Sequence, residues 1–226
     1  PLALLQDNGY LTEFRTGGAG ALAVRLLAPE GPLKAAVIGA GSQARYQLRA
    51  ITRVREISEL RVWSPKPDEV AAYQKEMSRE LGIPVSGWGS AEEAVRGADL
   101  VVTVTPAREP VLALDWLLEG ATVVAVGSDG PEKQELAPEI LGKAGKVVVD
   151  SRDQCMRLGE THHAVAAGIL TPEGIHAELG EVVLGIRPGR EGGGAHRLRP
   201  HRGRRPGRSH GRSRMGPSGQ RRGVER

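Results

Sequence analysis

The chain of 226 residues is short of several things that proteins use to anchor or staple themselves. It has one cysteine, Cys155, so no internal disulfide can form; this fits a reducing compartment and predicts a cytoplasmic protein. No apolar run approaches the ~20 residues of a membrane span, so no membrane association is expected. The opening PLALLQDNGY lacks the basic start and apolar stretch of a secretory signal. It also lacks an initial Met, which implies a fragment or a processed start. The stretch 191–226 contains no lysine and no aromatic residue, yet it has eleven arginines and two glutamates, a net charge of +9. Against an overall +4, the preceding 190 residues therefore carry −5 and are mildly acidic. The basic balance belongs to the tail alone.

What is present in the body is alternation. Short β-branched runs, KAAVIG (34–39), ELRVWS (59–64), DLVVTVT (99–105), ATVVAVG (121–127) and KVVVD (146–150), are separated by segments with apolar residues at three- and four-residue spacing. IPVSGW (83–88) offers one more short strand. Strands covered on both faces read as continuous Val/Ile runs, and strand–helix–strand alternation implies a parallel sheet with right-handed crossovers. The expected fold is α/β, a doubly wound parallel sheet of Rossmann type spanning 31–190. Ahead of it, LTEFRTGGAGALAVRLLAP (11–29) reads as one long helix, with Thr12 as N-cap, Pro29 as stop and Gly17, Gly18 and Gly20 as weak points. Residues 1–30 are expected to be the remnant of a substrate domain. Residues 152–185 read as helical with turns near Gly168 and Thr171-Pro172, and 191–226 as a disordered Arg/Gly-rich tail.

KAAVIGAGSQA sets Gly39, Gly41 and Ala44 in the G-x-G-x-x-G/A spacing, between a strand and a helix that Ser42 and Gln43 open. The first glycine permits the turn, the second lets backbone approach a pyrophosphate, and Ala44 keeps the helix close to the strand. The context makes this a dinucleotide site. A carboxylate ending the second strand would favour NAD by bonding the ribose 2′-OH. Here the strand ends Trp63-Ser64-Pro65-Lys66. A hydroxyl and an ammonium suit a 2′-phosphate, so NADP is favoured, with NAD possible.

The stretches LTEFRTGGAGALA, VIGAGSQARYQ, EEAVRGADLVVTVTPAREPVL, VAVGSDGPEKQEL and GEVVLG, in this order across residues 7–190, resemble the ornithine cyclodeaminase/mu-crystallin family. That resemblance implies a cytoplasmic, homodimeric, NAD(P)-dependent protein of amino-acid metabolism. Asp129 of GSDGPEKQEL would be the catalytic acid/base, a role a carboxylate beside a nicotinamide can fill; read by itself, Asp129 could instead cap the turn 128–131. Lys133 would lie within reach of Asp129 or the cofactor. Arg15 would bind the substrate carboxylate in the bidentate manner open to a guanidinium. Thr105, Val126 and Gly127 would line the nicotinamide side. His162 and His163 have no Cys or second His at ligand spacing, and no metal is expected. Glu178 and Glu181 share a helical face and are expected to point to solvent.

Two activities follow from the resemblance. One is an enzyme that oxidises or reduces an amino-acid Cα–N bond by hydride transfer: ornithine cyclodeamination to proline and ammonia, ketimine or pyrroline-carboxylate reduction, or alanine dehydrogenation. The other is a non-catalytic NADPH-binding protein of mu-crystallin type. Members of the family carry a substantial segment ahead of the LTxxRT helix, and its absence here implies an incomplete substrate site. Where the family continues with a motif like V-x-D-L-T-G-x-G-x-Q-D-A-A, this chain has HRLRPHRGRRPGRSHGR (196–212). Codons compatible with that stretch, read one base out of register, yield V-C-D-L-T-G-V-G-V-Q-D-A-A-M. A frameshifted tail is therefore expected, with Leu198, Met215 and Val224 its only large apolar residues. Its arginines would bind nucleic acid only non-specifically, since no aromatics interleave them.

Overall fold

The computed structural model describes residues 6–191. The arginine-rich stretch 192–226, with the frameshift and nucleic-acid readings attached to it, lies outside the described residues, as do residues 1–5.

Helix α1 spans Tyr10–Leu27 and starts earlier than Thr12. The reason is Asp7, whose carboxylate accepts the Leu11 N–H at 2.5 Å and the Gly9 N–H at 3.3 Å, satisfying first-turn donors that would otherwise be orphaned. Thr12 is inside the helix. The helix stops at Leu27, just before the Ala28-Pro29 pair. Its glycines are contact surface: a Cβ on Gly17 would sit 2.7 Å from the Tyr46 carbonyl oxygen, and one on Gly20 would overlap the Gln47 amide. The helix that carries Tyr46 and Gln47 can approach α1 this closely only because those side chains are missing.

The five strands β1 Leu33–Ile38, β2 Ile57–Trp63, β3 Val85–Gly87, β4 Leu100–Thr103 and β5 Thr122–Ala125 form one parallel sheet in the order β3-β2-β1-β4-β5. In register, Val37 faces Val62 on one side and Val102 on the other. Alternate β1 residues enter two different cores, as a period of two requires. Ala35 and Val37 pack with Val24 of α1, Leu48 of α2 (Ser42–Ile51), and Tyr73 and Met77 of α3 (Pro67–Leu81). Ala36 and Ile38 pack on the opposite face with Ala94 of α4 (Ala91–Val95), Ile140 of α5 (Glu139–Lys143), and, past α6 (Arg152–Cys155), Ala164 of α7 (Glu160–Ala166). This is a doubly wound α/β sheet.

One expected strand behaves differently. Of KVVVD, only β6 (Val148–Val149) is extended, and it pairs in parallel with β7 (Ala177–Glu178) in a separate two-stranded sheet. The region 152–185 is accordingly helical only in pieces, ending in α8 (Leu179–Val183). Glu178 and Glu181 do not simply face solvent. They form a reciprocal capping box at the start of α8, and Glu181 also pairs with Arg152 at 3.3 Å. Among the described residues no helix is long and apolar enough to cross a membrane.

Candidate cofactor and catalytic site

At the C-terminal end of β1 the chain turns at Gly39, whose φ of 111° is closed to L side chains. Its N–H donates to the Trp63 carbonyl at 2.8 Å, and a Cβ there would lie 2.7 Å from the Val104 carbonyl oxygen. Gly41 then caps α2, with open space where its side chain would stand. Arg45 fastens this loop from behind, donating to the Ala40 and Gly41 carbonyls at 2.6 and 2.9 Å while pairing with Glu76 at 2.7 Å. Ala44 is fully buried, its carbonyl accepting the Tyr73 hydroxyl at 3.3 Å. A helix N-terminus opening on a bare glycine suits a phosphate. Gln43 Oε1, buried without a hydrogen-bond partner among the described residues, suits a ligand that also carries hydroxyls. Both features fit a dinucleotide. Unforeseen in the sequence was Glu13 of α1, whose carboxylate accepts the Ser42 hydroxyl at 2.6 Å and lies 3.5 Å from Gln43 Nε2.

One strand outward, a cavity of about 460 Å³ lies at the ends of β2 and β3, lined by Trp63, Ser64, Pro65, Val70, Gly87 and Trp88. Ser64 is buried and its Oγ accepts the Lys66 amide at 3.4 Å. Lys66 is largely exposed but not free: its ammonium meets Glu69 at 2.9 Å, one turn into α3, and that carboxylate holds the amine's pKa above the usual lysine range. The strand end therefore does have a carboxylate nearby, brought back by the helix that follows it.

The segment after β5 carries most of the remaining chemistry. Asp129 is three-quarters exposed, and its Oδ1 accepts the Lys133 ammonium at 2.5 Å, so its side chain is not spent on capping the turn. The loop beneath it is stapled internally. Ser128 Oγ and His163 Nε2 both donate to the Lys133 carbonyl, the latter at 2.8 Å. Val126 continues the ladder, its N–H on the Thr103 carbonyl at 2.9 Å. The polar groups of Thr105 and Gly127 turn inward to Glu135, a fully buried carboxylate that the sequence reading passed over. Burial pushes the Glu135 carboxyl up while the N–H and O–H donors around it pull the other way. Glu160, at the head of α7, is shifted upward for the same reason, burial, against the backbone amides of Glu135 and Leu136.

Thr105, Val126, Gly127, Asp129 and Lys133 are thus brought together at the ends of β4 and β5, at the same edge as the glycine loop. Arg15 stands exposed on α1 with no ion pair among the described residues. His162 and His163 spend a ring nitrogen each on a carbonyl, of Met156 and Lys133. Burial and the neighbouring Asp150 push the Cys155 thiol up to about 11, which makes it a poor nucleophile.

The model of the ornithine cyclodeaminase/mu-crystallin family matches residues 1–194. A Rhizobium meliloti protein provisionally named a dehydrogenase is 45% identical over 83% of this chain and 57% of its own length. The alanine dehydrogenase of Archaeoglobus fulgidus is 42% identical over 84% of this chain and 58% of its own. The structure of Thermococcus litoralis Δ1-pyrroline-2-carboxylate reductase in complex with NADH and L-proline superposes with a TM-score of 0.78 at 37% identity, covering 80% of this chain and 56% of that one. The chain thus spans rather more than half the length of the relatives it matches. Matched by the family model over most of its length, and 45% identical to one relative across 83% of its residues, the chain belongs to the ornithine cyclodeaminase/mu-crystallin family.

Proposed function

We propose that the chain forms the dinucleotide-binding part of an NAD(P)-dependent enzyme that oxidises or reduces a carbon–nitrogen bond beside the carboxylate of a small amino or cyclic imino acid. What supports the reading is the Asp129 carboxylate, exposed and paired with Lys133 on a loop that Ser128 and His163 fasten through the Lys133 carbonyl, at the sheet edge where ligands of open α/β folds bind. Alanine dehydrogenation and pyrroline-carboxylate reduction, the activities named for two of the relatives, share that bond; ornithine cyclodeamination would add ring closure and the return of the hydride.

When bound, the nicotinamide supplies the hydride donor or acceptor. The chain supplies the rest. The backbone from Gly39 through Ser42, Gln43 and Ala44 would hold the pyrophosphate at the head of α2. Ser64 and Lys66 would hold a 2′-phosphate, so that NADPH is taken in preference to NADH. Thr105, Val126 and Gly127 would wall the nicotinamide side. Asp129 would protonate a leaving amine or take a proton from attacking water, with Lys133 orienting it. Arg15 would receive the substrate carboxylate through two parallel N–H···O bonds. The assembly would be a homodimer; a dimer is named for an archaeal alanine dehydrogenase structure.

Titration of the full chain with NADPH and NADH tests the cofactor half of this reading, because Trp63 and Trp88 stand beside the expected ribose end and report occupancy. Saturable quenching, tighter for NADPH, is expected. No saturation by either nucleotide at millimolar concentration would refute it.

A further inference from the structure

We propose that Glu135 is the positioning residue of this site: a buried carboxylate, touching neither cofactor nor substrate, that sets the Asp129 loop against the ends of β4 and β5. The proposal rests on the reading of Asp129 given above.

The β4–β5 ladder ends where the Val126 N–H meets the Thr103 carbonyl at 2.9 Å. The next inward amides, Thr105 and Gly127, donate to a side chain instead of a carbonyl. Thr105 N–H reaches Glu135 Oε1 at 2.6 Å, and Gly127 N–H reaches Oε2 at 2.8 Å. The Thr105 hydroxyl adds a second donor to Oε1 at 2.9 Å, and the Thr103 hydroxyl a second to Oε2 at 2.8 Å. Each oxygen therefore receives one N–H and one O–H. Glu135 is fully buried, so no water can substitute. Gly127 must be glycine for the latch to close, since a Cβ would strike the Thr105 backbone and lie 2.6 Å from Glu135 Oε1.

The residue is fixed at its own backbone too. Glu160 accepts the Glu135 and Leu136 amides at 2.8 and 3.0 Å, and the Glu135 carbonyl accepts those of Val111 and Leu112 at 2.7 and 3.1 Å. Anchored there, its carboxylate ties down Gly127, two residues before Asp129. Its two backbone donors lie just past the ends of two adjacent strands, so the one carboxylate bridges the ends of β4 and β5.

Glu135→Gln in the full chain is the discriminating change. Because both oxygens face an N–H, either orientation of the amide sets an NH₂ against a backbone donor. Amide exchange at residues 126–133 is expected to accelerate by about tenfold or more, with NADPH affinity falling by a similar factor, the scale of one lost charge-assisted hydrogen bond. Protection in 34–38 and 60–63 should hold. Thr103→Val, which removes one donor at constant shape, should move both readouts the same way by less, and it carries the comparison if the Gln variant does not fold. Unchanged exchange and affinity would overturn the proposal. So would a uniform loss of protection across the sheet with affinity per folded molecule retained, the mark of a residue that only stabilises. If the unaltered chain bound no dinucleotide, the functional reading would fall, while the exchange comparison would still decide the latch.

Discussion

The Glu13 carboxylate accepts the Ser42 hydroxyl at 2.6 Å, which sets a negative charge from α1 at the N-terminus of α2. This is where the helix dipole favours an anion, and where a pyrophosphate would bring more negative charge. Glu13 stabilises the helix head and competes with the ligand for it. Glu13→Gln is therefore expected to tighten dinucleotide binding by about 3- to 10-fold at low salt, the effect shrinking as ionic strength rises. Titration at two salt concentrations measures this. Weaker binding in the variant would mean that Glu13 assists the ligand.

The Lys66–Glu69 pair decides how strongly a 2′-phosphate is preferred. An exposed pair one turn apart is weak, and holds the ammonium less tightly than a doubly charged phosphate would. Lys66→Asp should therefore reverse the preference toward NADH. Glu69→Gln, freeing the amine, should improve NADPH binding by a few-fold and leave NADH unmoved. Competition between the two nucleotides would read both shifts, and an indifferent Lys66→Asp variant would remove Lys66 from the site.

Among the described residues the Asp129 side chain bonds to Lys133 alone, so its replacement should leave the fold intact. In a chimera completed with the remaining segments of the Archaeoglobus fulgidus alanine dehydrogenase, Asp129→Asn is expected to lower kcat for alanine oxidation by roughly 10²-fold or more, the range of a general acid/base. NADPH affinity should change little. Near-full activity would reduce Asp129 to a surface charge.

The sheet, the glycine loop and the Asp129 segment were legible because their signals are local: a Val/Ile run, a fixed glycine spacing and a motif in one stretch of chain. What escaped the sequence depends on partners far away. Gly17 and Gly20 look like flaws in a helix until α2 is laid across them. Glu135 sits in the quoted motif, yet its meaning lies in Thr103 and Thr105, some thirty residues back. Glu13 reaches its partner 29 residues ahead. The strand β7, two residues long, has too little pattern to be seen at all. Even Glu69, only three residues beyond Lys66, escaped because the search for a carboxylate stopped where the strand did.

Two cuts near the end of the described chain should behave differently. Arg190 ties the sheet to α1: its guanidinium donates to the Gly120 carbonyl at 2.9 Å and its amide to that of Leu26 at 3.1 Å. Lys146 donates to the Gly189 carbonyl at 2.5 Å and pairs with Glu191 at 3.1 Å. Truncation after residue 187 removes all of these and leaves the Leu26 and Gly120 carbonyls without these donors. It should cost about 1–3 kcal/mol, several degrees in Tm for a domain of this size. Truncation after 191 keeps every one of them, and should leave Tm and dinucleotide affinity where they were. Residues 192–226 hold eleven arginines against one glutamate, +10, and the remainder of the chain is net negative, so the same cut should abolish retention on a heparin column, an interaction that in the intact chain weakens steeply with salt. A fall in Tm on cutting after 191, or tail-dependent binding of one RNA sequence that survives physiological salt, would mean that the arginine-rich segment is a working part of the molecule.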